Sequence, residues 1–126
     1  MIHFAQYGII IILSLILVFH CCIMFKIIPF NIVWGGRLKS DKEMYRFETA
    51  SILINLFFLF ALLVHSNILI ADYSKIIMKI ILWIMTILFA INTLGNIVSK
   101  NKLEKRLFTP ITILLTIFSL ILALTN

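Results

Sequence analysis

The sequence predicts an all-α fold: a four-helix transmembrane bundle of up-and-down order with an interfacial or re-entrant first loop. Three observations lead there. Hydrophobic residues make up 63% of the chain and charged residues 13%, with a mean hydropathy of +1.15, whereas soluble domains carry about 25% charged residues. Four apolar runs, 7–28, 47–70, 76–98 and 107–124, approach or exceed the roughly 20 residues that a helix rising 1.5 Å per residue needs to span a bilayer. The runs are also continuous, as in IIIILSLILVF. A membrane strand would need only about 9–11 residues and would alternate lipid-facing with lumen-facing side chains. In hydrocarbon the backbone must satisfy its own hydrogen bonds, and a helix does so within one segment. The whole chain, 1–126, is thus expected to form a single transmembrane domain.

Helix one is expected over 7–28. It lacks the basic leader and small-residue cleavage site of a signal peptide, so it is read as retained. Cys21 and Cys22 are adjacent on it and point about 100° apart, a geometry unsuited to a disulfide, so they are read as small apolar packing groups. Pro29 is expected to end the helix, because it pushes Ile28 toward extended geometry. Beyond it, Phe30, Ile32, Val33 and Trp34 suit the headgroup boundary, and Gly35–Gly36 permit a sharp reversal. The first loop should therefore fold back against the membrane surface.

Helix two is expected over 41–70. Ser40 and Glu43 have the spacing of a capping box, which starts the helix at the surface and carries Glu48 about two turns in. Ser51, Ile52 and Asn55 share the face of Glu48, and that face is polar enough to turn toward protein. The next connection holds Asn67, Asp72 and Tyr73 as turn and interface residues. Helix three, 75–98, ends in AINTLGNIVSK, where Asn92 and Asn96 lie on one face and Gly95 beside them allows close approach of another helix. KNKLEKR is read as a solvated basic turn. Thr109–Pro110 then reads as an N-cap and first helical position for helix four, 107–124. The two halves share no motif spacing, so an inverted-repeat transporter finds no support.

Of the 11 Lys and Arg, Lys26, Arg37, Lys39, Lys42 and Arg46 surround the first connection and Lys100, Lys102, Lys105 and Arg106 the third. Only Lys75 and Lys79 fall at the second. This asymmetry predicts a multi-pass protein of the cell membrane with connections one and three cytoplasmic and both termini outside. The net charge of +6 would then lie against anionic headgroups, each basic residue gaining about 1 kcal/mol there. That accounts for the basic pI of 9.6 without nucleic acid, for which no groove or motif is present.

Up-and-down order brings Arg37, Tyr45, Glu48, Asn55, Asn92 and Asn96 to one end of the bundle. Two readings stand side by side. The group forms a polar pocket for a lipid headgroup, an anion or a small polar substrate, since an intramembrane ionisable residue is by default a functional candidate. Or Arg37 pairs with Glu48 and locks the loop built on Trp34, Gly35 and Gly36, while the two Asn side chains bond between helices. His20 is expected to bond a Ser or Asn on a neighbouring helix. His20, Cys21 and Cys22 cannot converge on one ion from consecutive helix positions, and His3 and His65 should lie at the opposite end, so no metal and no cofactor are expected. Redox chemistry by a C-x-x-C pair is excluded, as is the small multidrug transporter pattern, which needs a carboxylate deep in helix one.

NIVWGGRLKSDKEMYRFE, FAINTLGNIVSK and the K-x-x-K-R-x-F-T-P-x-T passage together resemble a family of short four-helix bacterial membrane proteins of uncharacterised role. The resemblance covers nearly the whole chain and implies fold and compartment without an activity. The expected function is a non-enzymatic accessory, regulatory or immunity-type interaction protein of the inner membrane. Its expected partners are the bilayer and either another membrane protein or further copies of the chain. Two alternatives are kept: a small oligomeric transporter or channel with its polar site at the cytoplasmic rim, and a lipid- or isoprenoid-directed enzyme using Glu48 or His20 as acid or base.

Overall fold

In a computed structural model, which describes residues 1–125 with Gly35 excepted, the chain forms four helices: α1 (Ile2–Met24), α2 (Asp41–His65), α3 (Lys75–Ile97) and α4 (Lys102–Thr125). Two short 3-10 turns, Phe30–Ile32 and Trp34–Gly36, occupy the first connection. The helices are 23, 25, 23 and 24 residues long and all are apolar enough to cross a membrane. At 1.5 Å per residue each is about 35 Å long, against a hydrocarbon core of about 30 Å.

Several boundaries differ from the sequence reading, each for a local reason. Helix α1 stops at Met24, four residues before Ile28 and ahead of Pro29. Lys26 takes the left-handed conformation, with φ of 62°. The Ile27 and Lys26 N–H groups then return to the carbonyls of Cys22 (2.8 Å) and Ile23 (3.0 Å), which is the Schellman termination usually built on glycine. Helix α2 stops at His65 because Asn67, φ 63°, does the same, donating its N–H to Val64 O at 3.1 Å. Asn tolerates that conformation better than most residues.

The start of α2 is as expected. Ser40 Oγ accepts the Glu43 N–H at 3.2 Å, while the Glu43 carboxylate accepts the Lys39 N–H rather than that of Ser40. Helix α4, in contrast, starts at Lys102. Asn101 Oδ1 accepts the Glu104 N–H at 3.1 Å, so Asn101 is the N-cap and the expected basic turn is the first turn of the helix. Pro110 sits inside α4. There it withholds a backbone donor from the carbonyl of Arg106 in the preceding turn, and just beyond it Thr112 Oγ1 donates to the carbonyls of Phe108 (2.9 Å) and Thr109 (3.2 Å).

Packing is inverted relative to a soluble bundle. Ile11, Leu15, Val18, Phe57, Phe60, Ile87 and Ile117 stand on the outer surface, as a hydrocarbon solvent allows, while Gln6, Glu48, Thr86, Glu104, Thr112 and Ser119 are buried. Toward the termini the interior is a dry core of Ile9, Leu13, Leu62, Leu82, Met85, Leu115 and Leu122. Gly8 lets α1 approach α4 there: a Cβ at this position would stand 2.6 Å from the Phe118 ring. At the other end a second cluster forms from Ile23, Val33, Leu38 and Met44, so the first connection is packed onto the end of the bundle. Asn101 ties it there by donating to Asn31 O at 3.2 Å.

Each helix meets its neighbours in sequence, and α4 closes on α1. The closure is uneven: α3 lies along α4 and α1 along α2, while α2 and α3 meet over a much smaller surface.

Candidate functional site

Glu48 is fully buried. It lies seven residues into α2, about 10 Å along the axis, and His20 lies four residues, about 6 Å, before the end of antiparallel α1. The two meet across the helix interface: His20 Nδ1 bonds Glu48 Oε2. The other carboxylate oxygen accepts the indole N–H of Trp34 at 3.3 Å. A buried carboxylate is costly unless its lone pairs are answered, and here one imidazole and one indole answer them.

The expected Arg37–Glu48 pair does not form. Arg37 follows the second 3-10 turn, is exposed, and makes no ion pair among the described residues. His20 fills the place expected for it because α1, packed along α2, delivers a side chain at the depth of Glu48. Nor does His20 bond a Ser or Asn among the described residues.

Trp34 was expected at the headgroup boundary. It is 40% exposed, yet its indole is turned to Glu48 and lies 4.9 Å from the Phe47 ring. Its backbone has φ of 56°, a conformation that costs a bulky residue about 1–3 kcal/mol. The chain reversal is therefore made by Trp34 and Gly36 (φ 73°), while the turn role expected of Gly35 lies outside the described residues. The indole bond, the tilted ring contact with Phe47 and the burial of Val33 and Leu38 hold Trp34 in this state.

Above this pair is a cavity of about 320 Å³, at the small end of the size of ligand sites. Arg37, Asn55, Asn92 and Asn96, all anticipated from sequence, line it together with His20 and Trp34. The Asn side chains differ in state. Asn96 donates to Thr112 Oγ1 of α4 at 3.2 Å and Asn55 to the carbonyl of Ser51 at 2.8 Å. Asn92 is exposed and has no hydrogen bond among the described residues. Tyr45 does not line the cavity and stands on the outer surface, 43% exposed. Gly95 borders the cavity, and a Cβ there would meet nothing within 4 Å. Among the described residues no helix closes on it as the sequence reading expected, and it borders the cavity where α2 and α3 are least packed together.

Glu104 was absent from the expected site. It is 4% exposed and lines the same cavity, carried inward by the first turn of α4. The signal was present: Asn101-x-x-Glu104 has the same cap-and-carboxylate spacing that located the start of α2 at Ser40-x-x-Glu43.

At the opposite end, His3 Nδ1 lies 3.2 Å from Gln6 Oε1 and Gln6 Nε2 2.9 Å from His65 Nδ1, far from His20 as expected. Cys21 and Cys22 are half-buried free thiols. Outside the spanning segments, Lys26 reaches across to Asp41 at 2.6 Å, and the hydrogen bond and charge of Asp41 raise the Lys26 ammonium above its ordinary value of 10.5.

No protein-family model, curated protein or solved structure matches this chain. The four apolar helices make it a multi-pass membrane protein.

Proposed function

We propose that this protein is a non-enzymatic accessory protein of a bacterial cell membrane that holds the polar headgroup of an amphiphile in the cavity at the loop end of the bundle. The observation that carries the reading is the convergence of Arg37, Asn55, Asn92 and Asn96 on one cavity beside the least-packed seam of the bundle. Among the described residues Arg37 has no ion pair and Asn92 no hydrogen bond, which leaves both as donors for an acceptor. The α2–α3 seam, bordered by Gly95, offers a lateral way in from the acyl chains, while the interior toward the termini is filled by an apolar cluster. Nine basic side chains around connections one and three favour this end facing the cytoplasm.

Native mass spectrometry of the protein released from anionic nanodiscs tests the reading. Wild type retains lipid. Arg37→Ala loses at least tenfold in retention, as removal of a charge-assisted hydrogen bond worth about 1.5–3 kcal/mol implies. Gly95→Phe, which places a ring in the seam, blocks loading while leaving the melting temperature near wild type. Equal lipid retention by wild type and both variants would discard the cavity as the binding site.

A further inference from the structure

Along α3 the cavity changes chemistry in a fixed order. At the loop end stands the guanidinium of Arg37, which follows the second 3-10 turn where that turn lies against α3. Five residues before the end of α3, about 8 Å further in, stands the amide of Asn92. Beyond it, toward the termini, the outer face of α3 is aliphatic: Ile91, Ile87 and Ile84 are exposed at the spacing of one helix face. Gly95 keeps the way between cavity and lipid open, since even a Cβ there would meet nothing within 4 Å.

Asn92 is the amide that the protein leaves unused. Asn55 Nδ2 is committed to the carbonyl of Ser51 and Asn96 Nδ2 to Thr112 Oγ1. Asn92, by contrast, has no hydrogen bond among the described residues and is exposed within a spanning helix. Hydrocarbon offers an amide no acceptor, so exposure there is costly. A glycerophospholipid carries acceptors at two levels: the phosphate of its headgroup and, below it, the carbonyl oxygens of the esters that join its chains to glycerol. The headgroup and interfacial region of one leaflet is about 5–8 Å thick, which matches the distance from the end of α3, where the turn before Arg37 lies, to Asn92. Guanidinium, amide and aliphatic face thus follow the same order as phosphate, ester and chain.

We infer that the guest is an ester-linked glycerolipid and that Asn92 selects it by donating from Nδ2 to an ester carbonyl oxygen. This inference rests on the binding reading above and assigns the class of its ligand. An isoprenoid phosphate or a dialkyl ether lipid offers Arg37 the same phosphate but has no carbonyl at the second level, so it leaves the amide unanswered.

The test uses the full chain in nanodiscs that contain equal amounts of two phosphatidylglycerols of the same chain length, one with ester-linked and one with ether-linked chains. Both lipids share one bilayer, so its thickness and charge are common to them. Native mass spectrometry of the released protein separates the two by mass and counts each.

Wild type is expected to retain the ester lipid over the ether lipid by between about twofold and tenfold, the ratio that one net hydrogen bond yields. Asn92→Leu removes the preference by lowering retention of the ester lipid alone, with the melting temperature near wild type because the side chain is exposed. The comparison of two lipids on the wild-type protein decides even where the variant folds poorly. Equal retention of the two by wild type overturns the inference and leaves the binding reading intact. A preference that survives in Asn92→Leu moves the selection to another group and overturns the inference as well. If wild type retains neither lipid, the binding reading itself fails.

Discussion

The carboxylate of Glu48 is the residue around which the loop end of the bundle is arranged, with His20 on one oxygen and Trp34 on the other. Removing one partner of such a pair leaves the other buried and unanswered, typically a loss of about 3–5 kcal/mol, whereas replacing both by apolar groups is often neutral. His20→Leu, which leaves the fully buried Glu48 carboxylate without its imidazole, is therefore expected to lower stability by that order, and Glu48→Leu with His20→Leu to recover most of it. Urea or thermal unfolding of the two variants in detergent checks this; a double variant as unstable as the sum of its singles would show that the two side chains do not act as a unit. Trp34 shows why residue-level reading fell short here. An indole near a glycine pair reads as an interfacial anchor, and nothing local announces that its backbone occupies a strained conformation in order to reach a carboxylate fourteen positions on.

Helix ends decided what the elements present. Schellman termination at Lys26 and an αL residue at Asn67 end α1 and α2 earlier than the sequence reading placed them, although α1 also begins earlier, at Ile2, and the Asn101 cap starts α4 at Lys102 rather than 107, which turns Glu104 inward. These are short-range signals and were partly legible: Ser40 and Glu43 located the start of α2, and the same rule applied to Asn101 and Glu104 would have located α4. The αL position at Lys26 was not legible, because lysine has no special preference for it. The return bonds to Cys22 and Ile23 hold its backbone, and its exposed ammonium pairs with Asp41 between the end of α1 and the start of α2. Since Lys26 is raised above 10.5 in the folded protein, its stabilising effect is complete below that value and is lost as pH rises through the higher folded one. The stability difference between wild type and Asp41→Asn is expected to shrink above about pH 10.5 and in high salt. A difference that persists unchanged in molar salt at alkaline pH would assign the effect of Asp41 to helix capping instead.

At the scale of the molecule, an apolar exterior, a dry core near the termini and a polar cavity near the loops divide the bundle into two halves of different chemistry. The uneven closure of the helices places the weak seam beside the cavity rather than the core. The expected orientation sets this polar half at the cytoplasmic face, with nine basic side chains around it against two at the other connection. Alkaline phosphatase fused after residue 126 should be active and the same reporter in the first connection inactive; the reverse pattern would place the cavity on the outer face.

The sequence by itself determined the solvent and the architecture, because hydropathy and run length act independently of which helix packs on which. It also brought Arg37, Asn55, Asn92 and Asn96 to one end of the bundle, since up-and-down order follows from four spans with short connections. Only the tertiary structure decided who partners whom. Glu48 takes His20 rather than Arg37 because the choice depends on the rotation of α1 against α2, and uniformly apolar helices in lipid carry little periodicity from which that rotation can be read.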